Sequence, residues 1–496
     1  MTKSLFNPYL LSCVAGALAV FGFAPFGIFP LPILSLAVLF WLWSKVDSPR
    51  QAAWLGLSFG MGLFCVGVSW IYVALHEYGY MHPILAAVAT ALFAAVNAAL
   101  PAAAGYAQAR FKVSSNLRIL LVMPAIWTLA EWLRGLLFTG FPWLSFGYSQ
   151  VPVSPLAGYA PVLGVFGVSL IMAASAALLL ALWKMRWSRS GQIALGVLLM
   201  LWVGGAILRS VAWTQPQGEP LKVGLLQGNI AQDTKFEEDK LVSTLETYRR
   251  LAQSSDARLI VLPETALPLL RENVPETYHI ILREHARKNA GDILLGAFEK
   301  EHGKYYNSVY SLGSAESQHY RKDHLVPFGE FIPLRGVLGW FINDVLSIPM
   351  GDLASGGDQQ APLNVAGQQV ALDICYEDAF GEEIIRALPQ ATLLVNVTND
   401  AWYGDSHAAM QHNQLSQMRA LETGRMMLRA TNTGVTSVIG VDGRIQAMLP
   451  QHEEGVLTAQ VQGYTGSTPY VVWGNWGVLA LIGLMLGFVW RQGRRK

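Results

Sequence analysis

Val370-Ala371-Leu372-Asp373-Ile374-Cys375-Tyr376-Glu377-Asp378 passes from a short apolar run into acidic residues, with a cysteine at the junction. Read as a strand ending at Ile374, it puts Cys375 where open α/β sheets carry their sites, beyond a strand's carboxyl end. Six more runs of this kind flank it, at 223–227, 259–262, 293–296, 308–311, 393–397 and 435–439. Helical spacing of apolar residues predicts helices over 236–254, 276–289, 379–388 and 407–430. The alternation of strand and helix predicts an α/β domain. In the first helix Leu241, Leu245, Tyr248 and Leu251 make one apolar stripe, which reads as core. Asp442-Gly443 reads as a hairpin turn, and 215–220 as a short linker.

Outside this region the chain is a different material. Of its 496 residues, 52% are hydrophobic and 14% charged, too apolar for an ordinary soluble protein. A hydrocarbon core of about 30 Å needs roughly 20 apolar residues as helix. Eight stretches approach that length: 8–24, 28–43, 52–75, 82–106, 117–134, 157–183, 192–212 and 471–490. The first two are short and read as a tight helical hairpin. The expected architecture is a polytopic α-helical membrane domain of eight transmembrane helices carrying an α/β domain. Its divisions are 1–213, 214–468, and 469–496 for the last helix with a basic tail. A cleaved signal peptide over 3–23 is the rival reading of the first span.

Charge divides along the same lines. Residues 214–468 hold 20 Lys and Arg against 31 Asp and Glu, leaving 15 and 3 for the rest. An acidic polar domain argues against nucleic-acid binding. Lys3, Lys45 and Arg50, then Arg110, Lys112 and Arg118, then Lys184, Arg186 and Arg189 fall in alternate connections, and the tail ends Arg494-Arg495-Lys496. The positive-inside rule then puts both termini in the cytoplasm and the polar domain outside, in a bacterial cell the periplasm. An unpaired Cys375 there is unusual, because that compartment is oxidising. Cys13 and Cys65 lie in apolar segments and read as packing residues.

Glu264 follows the run 259–263, Lys322 follows Gln318-His319-Tyr320-Arg321, and Cys375 follows 370–374. A thiol, a carboxylate base and a fixed cation are the ingredients of acyl transfer through a thioester. Taken singly, each has a plainer explanation: a buried structural cysteine, a solvated loop glutamate, a surface lysine. No His or Cys spacing suggests a metal, and the chemistry calls for no cofactor.

Val261-Leu262-Pro263-Glu264-Thr265-Ala266, Tyr320-Arg321-Lys322-Asp323 through Phe328-Gly329-Glu330, and Ile374-Cys375-Tyr376-Glu377 resemble the Glu, Lys and Cys motifs of the nitrilase (carbon–nitrogen hydrolase) superfamily. The wording is most similar to its membrane branch, the apolipoprotein N-acyltransferases. Thr398-Asn399-Asp400-Ala401-Trp402-Tyr403-Gly404, Phe23-Ala24-Pro25-Phe26-Gly27 and Glu131-Trp132-Leu133-Arg134-Gly135 resemble that branch too. The resemblance implies a nitrilase-like α-β-β-α sandwich at the bacterial inner membrane. It implies Glu264 as general base, Lys322 as stabiliser of the tetrahedral intermediate and Cys375 as nucleophile, with Glu330, Tyr376 and Glu377 around them. Phe236 stands where the resemblance leads one to expect Trp. The implied reaction moves an acyl chain from a phospholipid, typically phosphatidylethanolamine, through a thioester to the α-amino group of a diacylglyceryl-cysteine on an apolipoprotein.

The triad alone leaves transfer to water, and so a membrane-anchored amidase, as the alternative, since hydrolysis and aminolysis of a thioester use the same groups. A non-enzymatic receptor is the second rival. Phe331, Leu334, Leu338, Trp340, Phe341 and Leu346 make an unusually apolar segment after Glu330, expected to be a lid or arm dipping into the membrane interface. Trp143 and Phe141 are expected in an outward loop facing the same lipid entrance. Glu131 and Arg134 read as a structural ion pair at a helix end, with a lipid headgroup contact as the alternative.

Overall fold

Proline sets the start of many helices in the apolar part of the chain. Pro8, Pro30, Pro49 and Pro83 each occupy the first helical position, where a missing N–H costs nothing. The computed structural model describes residues 7–185, 188–233, 235–332 and 353–494. They form two compact units: Met1–Tyr72 with His82–Ala212 and Val472–Lys496, and Val73–Met81 with Trp213–Val471.

The first unit is helical. Pro83–Ala109, Ser115–Arg134, Pro155–Met185, Arg189–Leu208 and Trp476–Gly493 are long and apolar enough to cross a membrane. Pro49–Gly67 and Trp70–Tyr78 qualify as a pair bent by 52°, while Pro8–Gly22 and Pro30–Trp43 are shorter. Among the described residues five helices therefore meet the length of a span, or six with the bent pair, against the eight expected. Small residues let these helices approach closely. A Cβ at Gly62 would lie 1.9 Å from the Cys13 carbonyl oxygen, so that crossing requires glycine.

Two sequence readings change here. Trp143, expected to face lipid, is buried, its ring 5.3 Å from that of Trp70. The reason lies in Arg134, which donates to the Phe141 and Trp143 carbonyls and to Ser145 Oγ, pulling the loop inward. Glu131 secures the same loop by accepting from Phe146 N at 3.0 Å and Trp127 Nε1 at 3.1 Å, in keeping with a structural role. Cys65, read as a packing residue, is exposed on its helix.

The second unit is built on twelve strands among the described residues. In chain order they are β1 (Gln215–Gln227), β2 (Leu259–Val261), β3 (Asp292–Glu301), β4 (Lys304–Gly313), β5 (His319–Arg321), β6 (Leu363–Val365), β7 (Gln368–Ile374), β8 (Leu393–Thr398), β9 (Met427–Thr431), β10 (Ser437–Ile439), β11 (Ile445–Met448) and β12 (Gly455–Thr465). They form two six-stranded sheets, ordered β12-β1-β2-β3-β4-β5 and β11-β10-β9-β8-β7-β6. The inner pairs β1/β2, β2/β3, β7/β8 and β8/β9 are parallel. Such strands are buried on both faces, hence their continuous apolar runs.

One face of the first sheet packs Leu226, Ile260, Leu262, Ile293 and Leu295 against Tyr248 and Leu251 of Glu238–Ser254 and Leu282 of Glu276–Lys288. Of the predicted stripe, Tyr248 and Leu251 are core and Leu245 packs against it, while Leu241 is only half-buried. In the second sheet, Ala371, Leu394, Met427 and Ile439 cover Ala420 of Ala408–Thr423. The alternate residues Val223, Leu225, Val261, Val370, Ile374, Val395, Val397 and Leu428 are buried on the opposite faces, and the two sheets stack between the helical layers.

The predicted helix 407–430 is shorter. Gly424, at φ +63°, ends it in the left-handed conformation, and Met427–Thr431 becomes a central strand. The 215–220 linker is part of β1, paired antiparallel with β12 from Gln215↔Thr465 onward. The predicted hairpin does join β10 to β11, with Gly443 at φ +76°. Helix 379–388 is reduced to Gly381–Ile384 and a 3₁₀ turn, Ile385–Ala387. Val73–Met81 groups with this unit through Tyr78, whose ring meets Trp402 edge-on at 6.5 Å.

Candidate active site

Three strand ends bring the predicted residues together. Glu264 lies just past β2, Lys322 is the residue after β5, and Cys375 the residue after β7. The Lys322 Nζ stands 3.7 Å from Glu264 Oε1 and 2.9 Å from Glu330 Oε1. The Cys375 thiol is within electrostatic reach of both Glu264 and Lys322. All four side chains are buried.

The Glu264 carboxylate is held on both oxygens. Oε1 accepts from Asn307 Nδ2 at 2.7 Å and Oε2 from the Asn399 backbone N–H at 2.9 Å. The turn that carries it is tight: Thr265 has φ +45°, and Lys235 Nζ donates to Thr265 Oγ1 at 2.8 Å and to the Glu264 carbonyl at 3.3 Å. Gly296 of β3 lies against this turn, where a Cβ would come within 2.3 Å of the Pro263 carbonyl oxygen.

Burial by itself would lower the Lys322 pKa, but the charges of Glu330, Cys375 and Glu264 outweigh it and hold the ammonium above the ordinary lysine range. The Cys375 thiol moves the other way. Burial, then Glu264 and Asp400, push it well up, against the opposing pull of Lys322 and the Thr398 hydroxyl. A resting thiol beside a permanent cation is the consequence. Such a cysteine reacts only when a base takes its proton during attack.

Cys375 itself is strained, with φ +58°. Non-glycine residues adopt this conformation at a cost of about 1–2 kcal/mol, and only when the surroundings impose it. Here its carbonyl accepts from Asn396 Nδ2 at 3.1 Å and from His412 Nε2 at 3.2 Å. His412 sits between Asp400 at 2.7 Å and Asp378 at 3.0 Å, and Arg429 bonds the same two carboxylates at 2.9 and 3.1 Å. Burial and Arg429 lower the His412 pKa, but the two aspartates prevail and raise it to about 9. The imidazolium is therefore a donor on both nitrogens.

Glu377 joins two of the loops. Its carboxylate accepts from Ile374 N at 2.6 Å, Asp323 N at 2.7 Å, His324 N at 3.0 Å and Tyr320 Oη at 3.1 Å. Burial raises its pKa to about 7 against those donors. Tyr376 packs edge-on to Phe380 at 5.1 Å and His324 at 5.9 Å. Trp340 and Phe341, with Leu334, Leu338 and Leu346 of the expected lid, lie outside the described residues. Among the described residues no group of three or more His, Cys, Asp or Glu is arranged to hold a metal ion.

Residues 15–178 match the family model of the apolipoprotein N-acyltransferase N-terminal domain, and 222–470 match that of carbon–nitrogen hydrolases. An apolipoprotein N-acyltransferase of Nitrosomonas europaea is 51% identical over 486 residues, 97% of each chain. The chain belongs to the apolipoprotein N-acyltransferase family. Other members of the family are similar over the same extent: that of Methylococcus capsulatus is 45% identical, covering 98% of this chain and 96% of its own, and that of Chromobacterium violaceum 43%, covering 97% and 94%.

In this family member, Asn307, Asn396, Asn399, His412 and Lys235 take part in the site although the sequence motifs did not single them out as such. A signal existed for two of them. Asn307 and Asn396 interrupt β-branched and aromatic runs that become β4 and β8, and asparagine is disfavoured inside strands. Both are buried, and both turn out to bond site residues rather than to fill space.

Proposed function

We propose that the chain takes an acyl chain from a membrane phospholipid and transfers it, through a thioester on Cys375, to the α-amino group of the S-diacylglyceryl-cysteine of an apolipoprotein. The observation that carries this reading is the buried cluster of Glu264, Lys322 and Cys375 in a chain of this family. Phosphatidylethanolamine is the donor we favour. In the first half, Glu264 takes the thiol proton while sulfur attacks the ester carbonyl. The oxyanion that forms faces the Lys322 ammonium, a donor that needs no reorganisation because it stays protonated throughout. Collapse breaks the C–O bond, and the proton on Glu264 passes to the departing lysophospholipid oxygen.

In the second half the free amine attacks the thioester carbon and gives up a proton to Glu264. Collapse expels the Cys375 thiolate, which recovers that proton. Both substrates are lipid-anchored, so holding the enzyme in the membrane raises their local concentration. Eight spans, with both termini cytoplasmic and residues 214–468 periplasmic at the inner membrane, are the topology that the alternating basic loops support. Residues 1–213 would then be the first membrane part and 469–496 the last span and tail.

The test is intact-protein mass spectrometry after incubation with phosphatidylethanolamine alone. An acyl adduct on Cys375, absent from Cys375→Ala, is the expected result. Adding a diacylated lipopeptide should discharge the adduct into an amide. Release of free fatty acid with no lipopeptide product would overturn transfer in favour of hydrolysis.

A further inference from the structure

Lys322, the obvious cation of the site, is committed more closely to Glu330 at 2.9 Å than to Glu264 at 3.7 Å. The nearest donor to the Glu264 Oε1 is instead a neutral amide, Asn307 Nδ2 at 2.7 Å. The same nitrogen lies 3.3 Å from Glu330 Oε1, so its two hydrogens serve two carboxylates. The Asn307 backbone carbonyl also accepts from Lys322 N at 2.8 Å. One residue of β4 thus touches the base, its neighbouring carboxylate and the strand end that carries the lysine.

The orientation of this amide is dictated by charge. Its Oδ1 is buried with no hydrogen-bond partner among the described residues. Turning the amide over would set that oxygen against two carboxylates, so the unsatisfied acceptor is the lesser penalty. A group kept in place with an unmet acceptor is there for what its donors do.

We propose that Asn307 is the positioning residue of the base: it fixes the Glu264 carboxylate toward the thiol and keeps it ionised beside Glu330. The inference rests on the reading of Glu264 as general base. Two like-charged carboxylates sharing a site drive one of them to protonate; the Lys322 ammonium between them, Lys235 at the Glu264 turn and hydrogen bonds to the ionised form all oppose that. With the donors gone, Glu264 protonates at higher pH and turns more freely about its side-chain bonds.

The experiment is single-turnover acylation of Cys375 by phosphatidylethanolamine in mixed micelles, read by intact mass from pH 5 to 9 with the full-length chain. Asn307→Leu keeps the size and removes the donors; Asn307→Asp keeps the shape and adds a third carboxylate, which covers the case in which the leucine variant does not fold. In each, the acid limb of the maximal rate should move up by about one pH unit, a loss of about tenfold on that limb. The phospholipid concentration at half-saturation should stay as in the unaltered chain. A merely structural role would lower the rate at every pH without moving the limb. An unmoved limb in both variants, with Glu264→Gln inactive, overturns the role of Asn307 alone. A Glu264→Gln chain that acylates as fast as the unaltered one removes the base, and the inference with it.

Discussion

Replacing Lys322 by methionine keeps the length of the side chain and deletes its charge. At an effective dielectric of about 20, unit charges 3.7 Å apart attract by roughly 4–5 kcal/mol, and the pair with Glu330 is closer still. That attraction offsets the cost of burying the ammonium, so the net loss is smaller. Breaking a buried pair while leaving its partners in place costs about 3–5 kcal/mol of stability. Removing one donor to the oxyanion costs about 2.7–4 kcal/mol of transition-state stabilisation, or ~100- to 1000-fold in rate. Two carboxylates left together also compete for a proton, which disables the proposed base at neutral pH. The assay is alkylation of Cys375 by iodoacetamide across pH, in a background where the other free cysteines, Cys13 and Cys65, are serine, alongside acyl-adduct formation. The thiol should titrate higher than before, because Lys322 is one of the groups that pull it down. Lys322→Arg should recover only part of the rate, since a planar guanidinium does not occupy an ammonium site. Acylation by Lys322→Met within about threefold of the unaltered chain, with an unchanged alkylation profile, would refute the reasoning about magnitude and the proposed role together.

Three other perturbations probe the scaffold. Gly296→Ala drives a methyl into the Pro263 carbonyl and the Thr265 amide, so it should displace Glu264, cost about 1–3 kcal/mol, and depress acylation more than melting temperature. Glu377→Gln replaces an acceptor oxygen with a donor among four donors; losing charge-assisted bonds of about 1.5–3 kcal/mol should lower the melting temperature and unfasten the Asp323–His324 backbone from the Cys375 turn, and a variant as stable and active as the parent would contradict this. His412 titrates near 9 when folded and near 6.5 when unfolded, so its share of stability is complete below about pH 6.5 and lost as pH rises through about 9. That share is on the order of 3 kcal/mol, read as the difference in melting temperature between the parent and His412→Gln at pH 6.5 and at pH 10. Taking the difference removes the contribution of Lys235, whose pKa burial lowers to about 8 and which acts with the opposite sign.

Local sequence was enough where the signal was itself local. The strand 370–374 just before Cys375, the run before Glu264, the amphipathic stripe of Glu238–Ser254 and the Asp442-Gly443 turn are all set by side-chain period and turn chemistry within a few residues. The β1 extension from Gln215 escaped because its first six residues are exposed and carry no period; they are held by backbone pairing to β12, some 250 positions along the chain. β9 was hidden behind a helix whose apolar pattern continues past its glycine stop. Trp143 was misjudged because an aromatic residue in a loop gives no sign of an arginine nearby that draws the loop inward.

By itself, the sequence determined what kind of molecule this is: apolar helices with basic connections, an acidic α/β domain, and Glu264, Lys322 and Cys375 each beyond a strand. Only the tertiary structure decided which groups surround those three. The Asn307 amide lies 43 residues from Glu264, the Asn399 amide 135 residues from it, and His412 lies 37 residues from the Cys375 carbonyl it supports. Hydrogen bonds of that span leave no periodicity to read. They exist because ends of strands from both sheets meet: Glu264 follows β2 and Lys322 follows β5 of one sheet, Cys375 follows β7 of the other, and groups from distant parts of the chain converge there.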